Sequence, residues 1–231
     1  MTDVLYILGR GSRLNDLELR LSLRCLEKNA SNVGKVFIVG NCPEWAQNIY
    51  HLSVEDTYQA WSNHFRKVYE AIDNGISDNF LLMNDDFYMM KPFDASTYPY
   101  YIRKQLFSDK QNGIYKMMLE NTVELLNKKG IDKPLAYNCH VPFIYNKDKF
   151  LELKLIWEEH KRSEIGYSPR LLYGNLFVGT GIEIDDPKVF NDVLPEIGIS
   201  GCVSSHSNSI QMLKELEKIF NKPSKYEKEK E

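Results

Sequence analysis

Three short apolar runs, each followed by turn residues and separated by helix-like periodicity, constrain the fold of this chain most strongly. The runs are Val4–Leu8, Val36–Val39 and Phe80–Met83. Uninterrupted runs of this length are typical of strands in a parallel sheet that is covered on both faces. Apolar residues recur at helical spacing after Asp16 and again over Gln59–Ile72. The order strand, helix, strand, helix, strand therefore predicts a right-handed α/β sheet flanked by helices.

The remaining sequence predicts further helices within one domain. Residues 93–135 are rich in Tyr, Lys and Asn and contain a helical pattern near 114–128, which we interpret as a helical insertion. Two more helices are predicted over 147–161 and 209–220. We assign residues 1–221 to a single domain. The tail 222–231 alternates charges and has little to bury, so we expect it to be disordered.

Composition and charge exclude several classes of protein. The chain has 231 residues, of which 43% are hydrophobic and 26% charged, as in ordinary globular domains. A net charge of −3 argues against a protein that coats nucleic acid, although a local basic groove remains open. No run approaches the length of a membrane span, and the N-terminus does not resemble a signal peptide, so we expect a cytoplasmic protein. The four cysteines are too scattered for a CxxC motif or a zinc knuckle.

The strongest local signal for chemistry is Asn84-Asp85-Asp86, which directly follows the third apolar run. Ligands of open α/β sheets bind beyond the carboxyl ends of the strands. Two adjacent carboxylates at such a place favour a divalent cation, and Mg²⁺ or Mn²⁺ takes one or two carboxylates together with phosphate oxygens. The triplet therefore favours a metal-assisted diphosphate site at Asp85 and Asp86. A solvated turn would have a similar sequence.

A second signal follows the first strand, where the sequence reads Gly9-Arg10-Gly11-Ser12-Arg13. Glycines allow close approach of the backbone to a ligand, and the arginines and the hydroxyl are suitable donors to phosphate. These five residues are therefore candidates for nucleotide binding. The pattern is neither a P-loop nor a complete G-x-G-x-x-G, and a plain strand-to-helix turn would look much the same.

Other polar residues have both a functional and a structural interpretation. His140 is a candidate proton shuttle, although a single histidine is more often structural. Arg170 follows Pro169 and is either a phosphate clamp or a surface charge. The pair Asp185-Asp186 favours a turn over a second acidic site. Residues 204–207 form a polar loop for which a functional and a structural interpretation are equally supported.

Several of these stretches resemble motifs of the Stealth family. Residues 11–29 resemble its first two blocks, and residues 36–45 resemble its strand followed by P-x-W-L. Residues 80–87 match its F-L-Y-x-N-D-D motif, and His140 with Pro142 and Arg170 resembles its later His-containing block. The resemblance covers residues 3–92 well and residues 137–175 loosely. The opening differs from the family's T-W-V-x-G-S-D, its N-S-H corresponds to Ser62-Asn63-His64 here, and a last block is not found.

The resemblance implies a fold, a donor and a set of roles. The family includes capsular-polysaccharide sugar-phosphate transferases, and short phage glycosyltransferases share its opening and its N-D-D. It implies a sheet similar to the GT-A fold of glycosyltransferases, with residues 93–135 on the acceptor side. It further implies that Gly9–Arg13 contact a nucleotide-sugar donor and that Asp85 and Asp86 hold Mg²⁺ or Mn²⁺ with the support of Asn84. Arg170 would offset phosphate charge, and His140 would activate the acceptor hydroxyl or assist at the phosphate.

Several outcomes remain open for a protein of this kind. Attack on the anomeric carbon gives glycosyl transfer, which the short chain and the phage-like relatives favour. Attack on the sugar-bearing phosphate gives sugar-1-phosphate transfer. The acceptor is a polysaccharide, a protein or a modified base of phage DNA, and in a phage protein the site of action is the host cytoplasm. A DNA acceptor requires a basic groove, for which Arg103, Lys104, Lys128, Lys129 and Lys133 are candidates. The alternative from another class is a non-catalytic nucleotide- or sugar-binding module.

Overall fold

A computed structural model of the protein describes residues 1–9, 14–107, 113–206 and 209–228. The strands are β1 (Thr2–Leu8), β2 (Ala30–Ser31), β3 (Val33–Gly40), β4 (Tyr50–Leu52), β5 (Asn79–Met83), β6 (Phe87–Met89), β7 (Phe93–Asp94), β8 (Tyr101–Arg103), β9 (Phe143–Asn146), β10 (Ile182–Ile184), β11 (Lys188–Val189) and β12 (Cys202–Ser205). The helices are α1 (Leu17–Asn29), α2 (Ala60–Asp73), α3 (Gly113–Lys128), α4 (Lys147–Leu151), α5 (Lys154–His160), α6 (Pro169–Tyr173) and α7 (Ile210–Ile219). A π-helical segment, Gly174–Val178, continues from α6.

The central sheet has five strands in the order β4-β3-β1-β5-β9. Its first four strands are parallel neighbours, and β9 pairs antiparallel with β5 at the edge. The three apolar runs of the sequence form β1, β3 and β5 at its centre. The predicted α/β architecture with a mostly parallel sheet is confirmed.

Both faces of the sheet are covered, as the apolar strands predict. Side chains of β1 alternate between two hydrophobic clusters, with Val4 and Tyr6 in one and Leu5 in the other. The first cluster lies under α1 and α7, and the second under α2, α3 and α4–α6. No helix of the described segments combines the length and apolar character needed to cross a bilayer.

The prediction of one continuous helix over 147–161 is wrong, because the segment forms two helices, α4 and α5. Aromatic side chains from both halves pack against the same residue of α2, Tyr69. Tyr69 contacts Phe150 of α4 at 5.4 Å and Trp157 of α5 at 5.2 Å between ring centroids. Both halves of the segment therefore keep an aromatic contact with α2 across the break.

A small three-stranded sheet lies beside the central one. It has the order β11-β12-β6, and β12 runs antiparallel to β6 with Ser204 opposite Phe87. Because β6 begins directly after Asp86, this sheet brings the distant 188–205 region to the end of β5. Residues 93–135, interpreted as an insertion, contain β7, β8 and α3, and β8 pairs with β10 in a separate ribbon. The single-domain assignment stays a prediction.

The prediction that the tail 222–231 is disordered is wrong for residues 222–228, and residues 229–231 lie outside the described residues. Glu227 is 3% exposed and accepts hydrogen bonds from Arg24 Nε and Nη2, both at 2.7 Å, and from Arg20 Nη1 at 3.1 Å. The guanidinium of Arg20 also lies 4.0 Å from the centroid of the Trp45 ring. The carboxylate of Glu227 is therefore matched by two arginines of α1.

Glu227→Gln is expected to lower the free energy of unfolding by about 3 kcal/mol, because it leaves two partly buried guanidinium groups without their counter-ion. The matched control is Glu120→Gln, which breaks a half-exposed pair with Lys116 on α3 and is expected to cost less than about 0.5 kcal/mol. Urea unfolding measures both. Equal effects would contradict a structural role for the tail.

Candidate active site

Strand direction brings the predicted site residues together. The carboxyl ends of β1, β3 and β5 lie at the same edge of the sheet because these strands are parallel. β9 runs the opposite way, with Phe143 opposite Leu82. The residues that precede β9 therefore lie beside the residues that follow β5. This register places His140 next to the segment Asn84–Asp86.

A buried hydroxyl fixes the turn that carries the acidic pair. The backbone N–H of Phe87 donates to the carbonyl of Asn84 at 3.1 Å, which closes a tight turn. Ser22, fully buried on α1, donates to the carbonyl of Phe87 at 2.7 Å and lies 3.0 Å from the hydroxyl of Tyr6. The position of Asp85 and Asp86 thus depends on α1 as well as on β5.

Asp86 is held by two groups from the small sheet. Its Oδ2 accepts from Lys188 Nζ at 2.6 Å and from Ser204 Oγ at 2.7 Å. Its carbonyl accepts from the backbone N–H of Ser205 at 3.3 Å. The side chains of Lys188 and Asp86 are only 15% and 18% exposed, so the pair is largely shielded from water.

Asp85 is less well compensated than its neighbour. Burial raises the pKa of Asp85 to about 7, and the negative charges of Asp86 and Glu18 add to this effect. A proton relieves this accumulation of charge near neutral pH, and a cation would relieve it equally well. The acidic pair is therefore a place where a positive charge is stabilised.

His140 is bound on its inner side by Asp186. Nδ1 of His140 lies 2.9 Å from Oδ2 and 3.1 Å from Oδ1 of Asp186, and the backbone N–H of His140 donates to Oδ1 at 3.0 Å. Burial alone would raise the pKa of Asp186, but the hydrogen bonds from His140 and the charges of His140 and Arg103 outweigh it and lower that pKa. An ionised carboxylate only accepts, so Nδ1 carries the proton and Nε2 is the nitrogen that exchanges one.

Arg170 supports the turn that presents His140. It donates from Nη1 to the carbonyl of Val141 at 2.7 Å and also to the carbonyl of Cys139. Its guanidinium lies 5.4 Å from the Phe143 ring centroid and 5.7 Å from that of Phe87. Arg170 therefore hydrogen-bonds to both residues that flank His140, and its role as a phosphate clamp stays a prediction.

The first predicted nucleotide-binding turn is described only in part. Arg10, Gly11, Ser12 and Arg13 lie outside the described residues. Gly9 lies at the end of β1 and lines a cavity of about 500 Å³ with residues 40–42 and 53–56. The cavity thus opens at the carboxyl ends of β1 and β3, where a ligand of an open α/β sheet is expected.

Asp56, one of the residues that line this cavity, is paired with a buried lysine of α2. Lys67 Nζ, on the buried side of α2, donates to the carbonyl of Leu8 at 2.6 Å and lies 2.6 Å from Oδ1 of Asp56. His64 lies one turn earlier on α2, and burial lowers its pKa to about 3. A neutral imidazole and a neutralised carboxylate therefore flank the end of β1.

The available metal-ligating side chains fit a site that leaves coordination positions open, and not one that the protein fills completely. Within the described residues, no three His, Cys, Asp or Glu side chains converge on one point. Mg²⁺ and Mn²⁺ need only one or two protein carboxylates when phosphate and water supply the other oxygens. Asp85 and Asp86 meet that requirement. Asp86 is paired with Lys188, whereas burial and the nearby negative charges raise the pKa of Asp85, so Asp85 is the carboxylate to which a cation would add most.

Sequence reasoning missed two site residues and gave too little weight to a third. Lys188 carries no local motif. Ser22 lies in the motif-like stretch 11–29, but nothing in that stretch indicates its contact with Phe87, and both residues reach the site through long-range contacts. Asp186 follows Asp185 before Pro187, a pattern that favours a turn, yet it binds His140. These contacts join segments that are distant in the sequence, so the packing of the whole fold is needed to reveal them.

The candidate basic groove is neutralised where its contacts are described. Arg103 Nη1 lies 3.7 Å from Asp186, Lys104 Nζ 3.2 Å from Asp185, and Lys128 Nζ 2.6 Å from Glu124. Each of these three side chains thus lies beside a carboxylate of the same chain, although the Lys104 and Lys128 pairs are exposed and weak.

Comparisons with known proteins agree with the resemblance in the sequence. Capsular polysaccharide phosphotransferase SacB of Neisseria meningitidis serogroup A is 32% identical over 114 residues, which cover 45% of this chain and 19% of SacB. The chain thus spans about one fifth of the length of that relative. No protein-family profile matches the chain. The predicted resemblance to sugar-phosphate transferases of capsule synthesis is confirmed at this level.

The fold has counterparts among solved glycosyltransferases. The galactosyltransferase LgtC in complex with donor and acceptor sugar analogues matches with a TM-score of 0.53 at 11% identity, over 96% of each chain. An active-site variant of LgtC matches with a TM-score of 0.56 at 10% identity, over 97% of this chain and 98% of LgtC. At such identity the likeness concerns the fold, and the predicted GT-A-like fold is confirmed.

Asp85→Asn is expected to stabilise the metal-free protein at about pH 8 and to have little effect at about pH 4. The folded-state pKa of about 7 lies above the ordinary value, so the folded state binds more protons than the unfolded state between these values and wild-type stability falls as pH rises. Since each pKa unit corresponds to about 1.4 kcal/mol, a gain of at least about 1 kcal/mol is expected at the higher pH. Chemical unfolding in EDTA measures it.

Asp132→Asn, at an exposed carboxylate after α3, is the control and should change stability equally at both pH values. An Asp85→Asn effect that is the same at both pH values would contradict the assigned charge accumulation.

Proposed function

We propose that this protein is a transferase that uses a nucleotide-sugar donor, most directly a glycosyltransferase. The proposal rests on one observation: the acidic turn Asn84–Asp86, which follows β5, and His140, which precedes the antiparallel strand β9, lie at the same edge of the sheet. His140 is bound there by Asp186. An acidic pair suits the diphosphate of a donor, and an oriented imidazole suits the hydroxyl of an acceptor. The GT-A-like fold supports this division of labour.

The donor is proposed to lie along the carboxyl ends of β1, β3 and β5. Gly9 leaves room for a ligand at the first of these, and Arg10, Gly11, Ser12 and Arg13 are proposed to contact its nucleotide. Asp85 and Asp86, with Asn84 in support, would hold Mg²⁺ or Mn²⁺ against the diphosphate. Such a cation, when bound, offsets the negative charge that develops on the leaving phosphate.

The acceptor is proposed to be activated by His140. Its Nε2 takes the proton of the acceptor hydroxyl while the hydroxyl oxygen forms a bond to the anomeric carbon, and the bond from that carbon to the diphosphate oxygen breaks. Asp186 keeps the proton on Nδ1 and stabilises the imidazolium that forms. Arg170 holds the turn on both sides of His140, which fixes the direction of Nε2.

Sugar-1-phosphate transfer is the second candidate, and the similarity to SacB favours it. In that reaction the same acceptor oxygen attacks the sugar-bearing phosphorus, and a nucleoside monophosphate leaves. The same residues would serve, since His140 again removes the proton and the acidic pair again lies at the diphosphate. The two reactions differ in the released nucleotide.

We propose a saccharide acceptor, and the contacts of the basic residues support this choice over DNA. Arg103, Lys104 and Lys128 pair with carboxylates of the same chain, so a groove for nucleic acid would have to break these pairs. A cytoplasmic location is part of the proposal.

A donor screen by thermal unfolding separates a transferase from a protein of another class. UDP-, GDP-, ADP- and CMP-sugars are tested with Mn²⁺ and with EDTA. At a hundred times its dissociation constant the correct donor should stabilise wild type by about 2.7 kcal/mol, and Asp86→Asn should abolish the shift. Asp78→Asn, at the opposite end of β5, is the control and should keep it. No shift with any donor would contradict the proposal, and a shift without turnover would point to a binding module.

Asp186→Asn is expected to lower turnover about 10–100-fold while donor affinity is kept, since part of the benefit of a positioned base is lost. In a His140→Gln background the same change should add almost nothing, because Asp186 acts through His140. The control is Asp185→Asn, whose side chain is 91% exposed. Additive losses in the double variant would contradict this role.

A further inference from the structure

Lys188 is bound to the carboxylate that the proposed function assigns to a metal. Its Nζ lies 2.6 Å from Asp86 Oδ2, and the hydroxyl of Ser204 donates to the same oxygen at 2.7 Å. Nothing in the local sequence predicts this contact. The ammonium thus supplies the positive charge that Asp86 needs in the absence of a cation.

Two positive charges compete for this position. A divalent cation on Asp86 would stand within a few ångströms of the ammonium, and like charges at about 4 Å repel strongly in a site that is shielded from water. Lys188 therefore has to leave Asp86 when a cation binds there. The vacated oxygen keeps its hydrogen bond from Ser204.

The backbone around Lys188 is held in a strand ladder, so we expect the side chain and not the strand to move. Lys188 pairs with Ser204 in the β11–β12 ladder, and the backbone N–H of Ser204 donates to the carbonyl of Pro187 at 3.1 Å. Asp186, two residues earlier, holds His140. A shift of this strand would disturb His140, whereas a change in the lysine rotamers would not.

There is room for such a movement. Lys188 lines a cavity of about 480 Å³ together with Lys104, Asp186 and Cys202. Its flexible four-carbon stem carries three N–H donors, and lysine binds phosphate as a compact point charge. A diphosphate held at Asp86 would offer new acceptors within the reach of the same side chain.

We propose that Lys188 is a diphosphate-binding residue that exchanges Asp86 for the donor's phosphate oxygens when a cation binds, an inference that rests on the proposed function. Lys188 is then a counter-ion of the acidic pair in the empty site and a ligand of the leaving phosphate in the loaded one. The exchange makes cation binding and diphosphate binding mutually dependent.

The test uses two probes and does not need turnover. Mn²⁺ binding is measured by electron paramagnetic resonance, and binding of inorganic pyrophosphate in the presence of Mn²⁺ by calorimetry. For Lys188→Met we expect Mn²⁺ alone to bind about three- to tenfold more tightly, because its competitor is gone, and pyrophosphate to bind about tenfold more weakly. Lys188→Arg should restore most of the pyrophosphate affinity.

Lys104→Met is the matched control, since Lys104 lines the same cavity but pairs with the exposed Asp185, and it should leave both affinities unchanged. If the Met variant does not fold, Lys188→Gln replaces it, with the same opposite changes expected. If the Lys188 variant loses affinity for both Mn²⁺ and pyrophosphate, Lys188 only supports Asp86 and the inference is overturned. Unchanged affinities for both probes would overturn it as well.

The outcomes also separate this inference from the proposed function. Wild-type protein that binds neither Mn²⁺ nor pyrophosphate would remove the proposed function and the inference with it. Wild type that binds both, beside a Lys188→Met variant that behaves identically, would overturn only the inference about Lys188.

Discussion

The antiparallel pairing of β9 with β5 determines which side chains face the acidic turn. If β9 were parallel to its neighbour, its N-terminal end would lie at the opposite edge of the sheet, and His140 would lie far from Asp85. The observed register, with Phe143 opposite Leu82, places the start of β9 beside the end of β5. His140 and the acidic turn thus come from segments more than fifty residues apart.

Compensation of charge is the second organising feature of the site. One short segment, 185–189, contributes two of the charged partners. The ammonium of Lys188 binds Asp86, and the carboxylate of Asp186 binds His140. Asp85 is left with an uncompensated carboxylate. Such a carboxylate is what the proposed cation site would require, since functional groups are often held in states that the fold alone would not favour.

Much of the fold follows from the sequence, because β1, β3 and β5 are strongly apolar and tolerate no other placement. The acidic turn was predictable for the same reason, since it follows one of these strands. The break between α4 and α5 was not, because residues 147–161 contain no glycine or proline that would mark it. The structured tail was missed because alternating charges are typical of solvated segments, and the arginines that bind Glu227 lie on α1. Lys188 and Asp186 depend on the pairing of β11 with β12, which no local pattern reveals.

The claim that one site transfers a group from a nucleotide sugar is tested most directly by the nucleotide that is released. Purified protein is incubated with Mn²⁺, a set of nucleotide sugars and a saccharide acceptor, and the products are separated by chromatography. The account predicts release that depends on both donor and acceptor, with a nucleoside diphosphate indicating glycosyl transfer and a monophosphate indicating sugar-1-phosphate transfer. If wild type releases no nucleotide beyond the level of a His140→Gln variant under any of these conditions, the account is contradicted.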